Sequence, residues 1–313
     1  MIRRIKSLAV ILSVLLLTSC SYTNIVSGLL AVYDSFNTAD SSVSTESSLA
    51  EAPSYKSSSS AASSDPSNRI QPHVATMNCG LSKTFDGTCL LINVFLSDGE
   101  SSFNTVEKTR AMAHLSHAVN YLERQAKSYD KDLSIIYKES DLMLNCEMNS
   151  EIPTDLDDYM WIFTVVQKIH AQKSIDSIME KYGAENVSFI FHVDKTGRSY
   201  ARMQNHKSDA FYDDEIAVVF SSDVAADNGV YDTTSYVYAH EILHLFGAID
   251  LYYPFNPDDE RIKLAEARFP DDIMLVYAYD INSAFISNVD AYLIGWCDYL
   301  EEENQVFIVE PYE

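Results

Sequence analysis

The feature that most constrains this chain is an apolar stretch, residues 238–250, in which two histidines stand four positions apart. On a helix, His240 and His244 lie one above the other on the same face, where two imidazoles can bind one metal ion. Glu241 follows the first histidine and is placed to act on a water molecule at that metal. The remaining residues between the two histidines are apolar and predict a buried helix. Histidines in a buried helix need partners or a metal to offset desolvation. The spacing therefore predicts a metal site built on a helix.

A third ligand is expected shortly after this helix. Gly247 lies three residues beyond His244 and can end the helix with a positive φ, which turns the chain back toward the metal. Asp250 follows three residues later with a carboxylate that can reach the ion. Neutral imidazole suits zinc, and a catalytic zinc takes three protein ligands and keeps one position open, so Zn²⁺ is the expected cofactor. Glu266, on a predicted helix at 258–268, is the alternative third ligand.

With these residues in place, the stretch resembles the extended signature of the metzincin zinc peptidases, H-E-x-x-H-x-x-G-x-x-H followed by a methionine-containing turn. The chain departs from that signature at its last position, where Asp250 stands in place of histidine, and in this it is similar to the small snapalysin-like branch. Asp-Ile-Met274 resembles the methionine turn, which forms an apolar floor beneath the metal ligands in the family. Several metzincins use a tyrosine two residues after the methionine to stabilise the oxyanion. Position 276 is valine here, so the resemblance assigns that role to Tyr277 or Tyr279.

The resemblance implies an α+β fold for residues 76–313, with a twisted mixed sheet, two long helices, the zinc-site helix, the methionine turn and a smaller C-terminal helical lobe. It also implies a zinc-dependent endopeptidase, in which Glu241 accepts a proton from a water activated by the metal and delivers it to the leaving amine. Residues 198–203 are predicted at the sheet edge, where an extended substrate peptide would pair. Two alternatives are a surface binding or adhesion lipoprotein that keeps its zinc without cutting, and a zinc hydrolase acting on a non-peptide bond such as a cell-wall amide.

Residues 1–20 are typical of a bacterial lipoprotein signal. Basic residues precede an apolar run at 7–17, and Leu-Thr-Ser-Cys20 resembles the site at which a cysteine is lipidated. The run is shorter than the about 20 residues needed to cross a bilayer. We expect Cys20 to anchor the mature chain to the extracellular face of the bacterial cell membrane, with an uncleaved anchor extending to Val32 as the alternative. Residues 21–75 are rich in serine and predict a disordered, flexible tether.

The charge of the chain limits its partners. The net charge of −24 becomes −27 once a signal with three basic residues and no acidic residue is removed. Such an excess of negative charge argues against binding to nucleic acid and to anionic lipid. The charge says little about the substrate. We expect a monomer that acts on a peptide or protein substrate and meets the membrane through its lipid anchor.

The four cysteines other than Cys20 form an even set in an exported protein, which predicts two disulfides. Pairing of Cys79 with Cys89 and of Cys146 with Cys297 is the expectation, because the first pair would close a short loop. The other pairings and free thiols stay open as alternatives.

Elsewhere the hydrophobic pattern predicts alternating strands and helices. Strands are expected at 88–96, 133–137, 186–193, 215–221 and 305–309. Helices are expected from Asn104 or Thr105 to Ser128, at 155–182 with Gly183 as C-cap, and at 288–300. A loop is expected at 223–232, before the zinc helix.

Overall fold

The computed structural model describes residues 80–154, 160–202, 214–224, 229–252, 260–275 and 280–308. All of them belong to one unit of the chain, residues 65–313. The predicted signal and tether, Cys20, Cys79 and Tyr277 lie outside the described residues. Among the helices that are described, none combines the length and the hydrophobicity needed to cross a membrane.

Within the described residues, a mixed sheet of seven strands forms the centre of an α+β fold. The strand order is β2-β1-β4-β6-β5, with β3 also beside β1 and β7 also beside β6. All pairings among β1, β2, β3, β4 and β6 are parallel, whereas β5 and β7 run antiparallel to β6. The strands are β1 (Thr88–Ser97), β2 (Ser134–Ile136), β3 (Met143–Glu147), β4 (Asn186–Gly197), β5 (Tyr200–Arg202), β6 (Ile216–Val224) and β7 (Val230–Asp232).

Helices cover both faces of this sheet, which explains why β1 and β4 are buried along most of their length. One hydrophobic cluster joins the sheet to α1, α4, α5 and α6, and a second joins the opposite face to α2 and α3. The helices are α1 (Thr105–Ser128), α2 (Met160–Gln172), α3 (Ile175–Tyr182), α4 (Ser235–Leu245), α5 (Glu260–Arg268) and α6 (Asn288–Leu293). The predicted metal helix, α4, thus lies beside the long helix α1 on one face.

Several helix boundaries follow from capping side chains. The side chain of Asn104 caps α1. The carboxylate of Glu107 in turn accepts a bond from the backbone N–H of Asn104, which completes a capping box. The helix predicted at 155–182 is instead two helices over its described part, because Ser174 accepts a bond from the N–H of Ser177 and starts α3. Gly183 ends α3 at φ 61°, as predicted.

Three other predicted elements differ from the structure. The loop expected at 223–232 is in part a hairpin, since β6 continues to Val224 and pairs with β7. The closing helix expected at 288–300 stops at Leu293, because Gly295 takes a φ of 85°. Over its described part, the final strand expected at 305–309 is instead a 3₁₀ helix, Glu302–Phe307. Of the two apolar residues Val306 and Phe307, only Phe307 is buried.

The disulfide predictions are wrong for the described cysteines, because Cys89, Cys146 and Cys297 are free thiols. Cys146 packs in the hydrophobic cluster of α2 and α3, whereas Cys297 packs in that of α1 and α4. The sheet therefore separates these two residues. Cys89 makes no disulfide with Cys79, and burial raises the pKa of its thiol to about 12, so it is unreactive.

A buried carboxyl group at the start of β6 makes a prediction about stability. One oxygen of Glu215 accepts bonds from the N–H groups of Leu81 and Ser82, both at 3.0 Å, and the other has no hydrogen-bond partner among the described residues. Burial raises the pKa of Glu215 from 4.5 to about 8. The folded state therefore holds this proton more tightly than the unfolded state, and stability falls as pH rises from 4.5 to about 8.

Glu215→Gln is expected to remove this contribution, so that the free energy of unfolding falls less steeply with pH, by a few kcal/mol over that interval. Urea unfolding at a series of pH values measures the effect. Glu100→Gln is the control, because it makes the same chemical change at an exposed glutamate and leaves the buried carboxyl group of Glu215 in place. Equal pH slopes for Glu215→Gln and the wild type would contradict the prediction.

Candidate metal centre

The helix α4 brings the two predicted histidines together at its C-terminal end. Gly247, at φ 107°, turns the chain there, as predicted. Its N–H donates to the carbonyl of His244, and the N–H of Ala248 donates to that of Leu243, which is the hydrogen-bond pattern of a Schellman C-cap. The turn returns the following residues toward the helix and places Asp250 beside the histidines.

Three ligand atoms form a nearly equilateral triangle. The Nε2 atoms of His240 and His244 are 3.2 Å apart, and each is 3.2 Å from Oδ1 of Asp250. Ligand atoms around a tetrahedral ion with bonds of 2.0–2.1 Å lie about 3.3 Å apart, so the spacing fits such an ion. This group could hold a metal ion. Glu266, the alternative ligand, is exposed on α5 and is not part of the group.

The hydrogen bonds of the two imidazoles fix which nitrogen faces the centre of the triangle. Nδ1 of His240 donates to the carbonyl of Ile273 at 3.0 Å, and Nδ1 of His244 donates to the carbonyl of Ala248 at 2.8 Å. When both imidazoles are neutral, their Nε2 atoms therefore direct lone pairs at each other and at Asp250. Three such atoms repel one another unless a positive charge lies between them, and this is the donor arrangement of a metal site with oriented histidines.

The pKa shifts describe the same preference for positive charge. Burial opposes the charged form of His244, but the carboxylate of Asp250 outweighs burial and raises the pKa of His244 to about 9. Burial would raise the pKa of Asp250, but His244 and His240 hold it well below its usual range. The cluster thus stabilises a cation at its centre.

Glu241 lies beside this cluster and is only 5% exposed. Its Oε2 atom has no hydrogen-bond partner within the described part of the chain. Burial raises the pKa of Glu241 to about 7, while the neighbouring histidines act in the opposite direction. A carboxyl group with a free oxygen and a pKa near neutrality is suited to accept and return a proton.

The turn around Met274 supports the cluster from the far side. Met274 is fully buried, and its carbonyl accepts a bond at 2.9 Å from the N–H of Leu251, the neighbour of Asp250. The preceding carbonyl, of Ile273, is the acceptor for His240. The same short turn therefore positions one histidine and the segment that carries the aspartate.

A tyrosine that the sequence reasoning did not select lies over the site. The ring of Tyr252 stacks near that of His240, with centroids 6.3 Å apart and planes at 28°. Burial raises the pKa of Tyr252 above its ordinary value, as do the negative charges of Asp250 and Glu241, whereas Arg198 acts in the opposite direction. Tyr277, to which the oxyanion role was assigned, lies outside the described residues. The sequence could have identified Tyr252 by its position, since it follows Asp250 by two residues.

A second missed residue, Tyr236, precedes His240 by four positions and so lies on the same face of α4. Its hydroxyl donates to the carbonyl of Ile273, the acceptor that also orients His240. The i, i+4, i+8 spacing of Tyr236, His240 and His244 could have identified it from the sequence alone.

A buried polar chain fixes α4 against the sheet. The hydroxyl of Tyr238 donates to Nδ1 of His192 at 3.0 Å, and Nε2 of His192 donates to Oδ1 of Asn93 at 3.0 Å. The amide of Asn93 donates in turn to the carbonyl of Tyr137, which leaves Oδ1 as an acceptor and settles the direction of the chain. Burial lowers the pKa of His192 to about 3, so this histidine is neutral and structural.

No protein-family model matches this chain, and no curated protein matches it either. The features of this chain that point to a function are therefore the metal-binding group, the adjacent carboxyl group of Glu241 and the strands beside them.

Proposed function

We propose that this chain is a zinc-dependent endopeptidase of the metzincin type, tethered by Cys20 to the extracellular face of a bacterial membrane. The observation that carries the proposal is the triangle of His240, His244 and Asp250, together with the neighbouring Glu241, whose Oε2 has no hydrogen-bond partner among the described residues. A structural metal site has no use for a free buried base. A hydrolytic site needs both a Lewis acid and a base, and these residues provide for each.

Zinc is the proposed ion because of the donor set. Two neutral imidazoles and one carboxylate are the ligands of many catalytic zinc sites, whereas Mg²⁺ and Ca²⁺ take oxygen ligands. The two Nδ1–H bonds to backbone carbonyls present the Nε2 lone pairs, which is the usual outer-shell support for zinc ligands. When bound, zinc would supply a Lewis acid for the scissile carbonyl and lower the pKa of a water molecule.

Glu241 performs the proton transfers in this proposal. With a pKa of about 7, it is partly ionised at neutral pH and can take a proton from the attacking water. It then returns this proton to the amine nitrogen as the peptide bond breaks. Because its side chain is buried, the proton is not readily lost to bulk solvent between the two steps.

The sheet edge near α4 supports a peptide as the substrate. Among the strands that the structure describes, β5 is the last in the order, runs antiparallel to β6 and contacts α4. An extended peptide can add to such an edge through main-chain hydrogen bonds, which fixes its register beside the metal. This feature favours peptide hydrolysis over cleavage of a non-peptide bond.

The test of this proposal measures zinc content and the cleavage of casein and of a mixed peptide library by the purified full-length chain. We expect one zinc per chain, loss of cleavage on treatment with a chelator, and recovery when zinc is added back. A protein that binds zinc and cuts no peptide would favour the binding-protein or non-peptide alternatives. A protein that binds no metal would refute the proposed centre.

Tyr252 is expected to assist the reaction, since its ring stacks near that of the proposed ligand His240 and its hydroxyl can donate to the oxyanion. Tyr252→Phe should lower kcat by about 10-fold to 10³-fold, with KM little changed, because the lost bond forms mainly in the transition state. Steady-state kinetics on a cleaved peptide measure this. The exposed Tyr299→Phe variant is the control. An unchanged kcat would leave Tyr252 with a packing role only.

A further inference from the structure

Two aspartates meet beneath the turn that supports the metal-binding group. Asp272 precedes Met274 by two residues, and Asp290 lies on α6; both side chains are completely buried. Oδ2 of each carboxyl group accepts a bond from the same residue, Ser287, which brings the two groups side by side. Neither carboxyl group forms an ion pair with a lysine, arginine or histidine within the described residues.

The bonds of the two carboxyl groups differ. Asp272 accepts from the N–H of Met274 at 2.6 Å and from the N–H of Ser287 at 2.9 Å, so both of its oxygens are stabilised as a carboxylate. Asp290 accepts only a long bond from the hydroxyl of Ser287, at 3.4 Å, and its Oδ1 has no hydrogen-bond partner among the described residues. Asp290 is therefore the member of the pair that is suited to carry a proton and to donate it to Asp272.

Within the described residues, the groups that act most strongly on the pair carry no positive charge, and the guanidinium of Arg124 acts instead on the neighbouring Tyr121. Tyr121 on α1 and Tyr236 on α4 face the pair, and Asp250 acts on Asp290 from the loop after α4. All three are neutral or negative. Two ionised carboxylates in contact at such a buried place would repel strongly, so one proton between them is the stable arrangement.

The pair is connected to the metal-binding group through the backbone. By holding the N–H of Met274, Asp272 shapes the turn whose Ile273 carbonyl orients His240 and whose Met274 carbonyl binds the segment beside Asp250. We propose that Asp272 and Asp290 share one proton at neutral pH and act as positioning residues, clamping the methionine turn to α6 and thereby holding the metal ligands in place. This inference concerns the metal-binding group and does not depend on peptide hydrolysis.

The direction of the pH effect follows from burial, which together with Asp272 raises the pKa of Asp290 well above its usual range. A raised pKa means that the folded state binds the proton more tightly than the unfolded state. Stability from this pair is complete below the ordinary carboxyl pKa and is lost as pH rises through the raised pKa.

The first measurement is infrared spectroscopy of the full-length chain labelled with ¹³C-aspartate, at neutral pH. We expect the carbonyl band of a protonated aspartic acid in the wild type and its loss in Asp290→Asn. Asp271→Asn is the matched control, because Asp271 is exposed on the same turn and its replacement should leave the band intact. A wild type without this band, or a band that survives in Asp290→Asn, would overturn the shared proton.

The second measurement is zinc affinity by competition with a chelator. Asp290→Asn should bind zinc nearly as tightly as the wild type, because its amide can still donate to Asp272. Asp290→Ala loses that bond and should bind zinc about 10-fold to 100-fold more weakly, the usual effect of losing outer-shell support. Equal zinc affinity of Asp290→Ala and the wild type would refute the positioning role, whether or not either protein cuts peptides.

Discussion

Glu241→Gln is expected to bind zinc as the wild type does and to hydrolyse peptides about 10²-fold to 10⁴-fold more slowly. Glutamine has the same shape but cannot accept the proton of the attacking water. Glu241 is no member of the metal-binding triangle, and its Oε2 has no hydrogen-bond partner among the described residues. Its replacement therefore removes no metal ligand and breaks no hydrogen bond of that oxygen within this part of the chain. The loss should therefore appear in kcat, with metal content unchanged.

The experiment measures zinc content by elemental analysis and kcat on a peptide identified from the casein digest. Glu266→Gln is the matched control, since it changes an exposed glutamate on α5 and also tests the alternative ligand. We expect the control to keep both zinc and activity. Full activity of Glu241→Gln would exclude this residue as the base, and loss of zinc from Glu266→Gln would reopen the question of the third ligand.

The stability of Glu241→Gln gives an independent measure. Burial raises the pKa of Glu241, so ionising this carboxyl group at neutral pH costs folding free energy that a neutral amide does not cost. The variant should unfold at the same or a higher temperature than the wild type. A loss of activity caused by misfolding would show the opposite change, so the two causes can be separated.

The parts of the site that the sequence predicts are those set by local geometry. His240 and His244 fall on one face because of the helical repeat, and Gly247 ends the helix because it tolerates a positive φ. Asp250 is then close enough to reach the histidines within one turn. Each of these steps spans fewer than a dozen residues and depends on backbone preferences alone.

The parts that were missed depend on distant partners. Asp272 and Asp290 are eighteen residues apart, and only packing brings the two carboxyl groups into contact under the methionine turn. Likewise, an even number of cysteines predicts disulfides, but Cys146 and Cys297 are separated by the sheet. Strand β3 escaped prediction because it is short and only its Cys146 is buried.

Asp250→Ala is expected to weaken zinc binding by more than the about 10-fold to 100-fold typical of lost outer-shell partners, because it removes a direct ligand. The two histidines would remain, since backbone carbonyls hold their Nδ1 atoms independently of Asp250. Two imidazoles alone do not complete a zinc site, which takes at least three protein ligands. Competition with a chelator, followed by elemental analysis, measures the loss.

Two further variants separate ligation from charge. Asp250→Asn keeps the shape of the side chain but removes the negative charge that stabilises a cation between the histidines, so it should bind zinc more weakly than the wild type. Asp250→His restores a nitrogen ligand at the last position of the signature and should recover part of the affinity lost in Asp250→Ala. An Asp250→Ala protein that keeps its full zinc content would move the third ligand to another residue. Asp250→His could also bind zinc no better than Asp250→Ala while both remain folded. In that case the turn at Gly247 places an aspartate within reach of the metal but not the longer imidazole, and this backbone requires an aspartate at position 250.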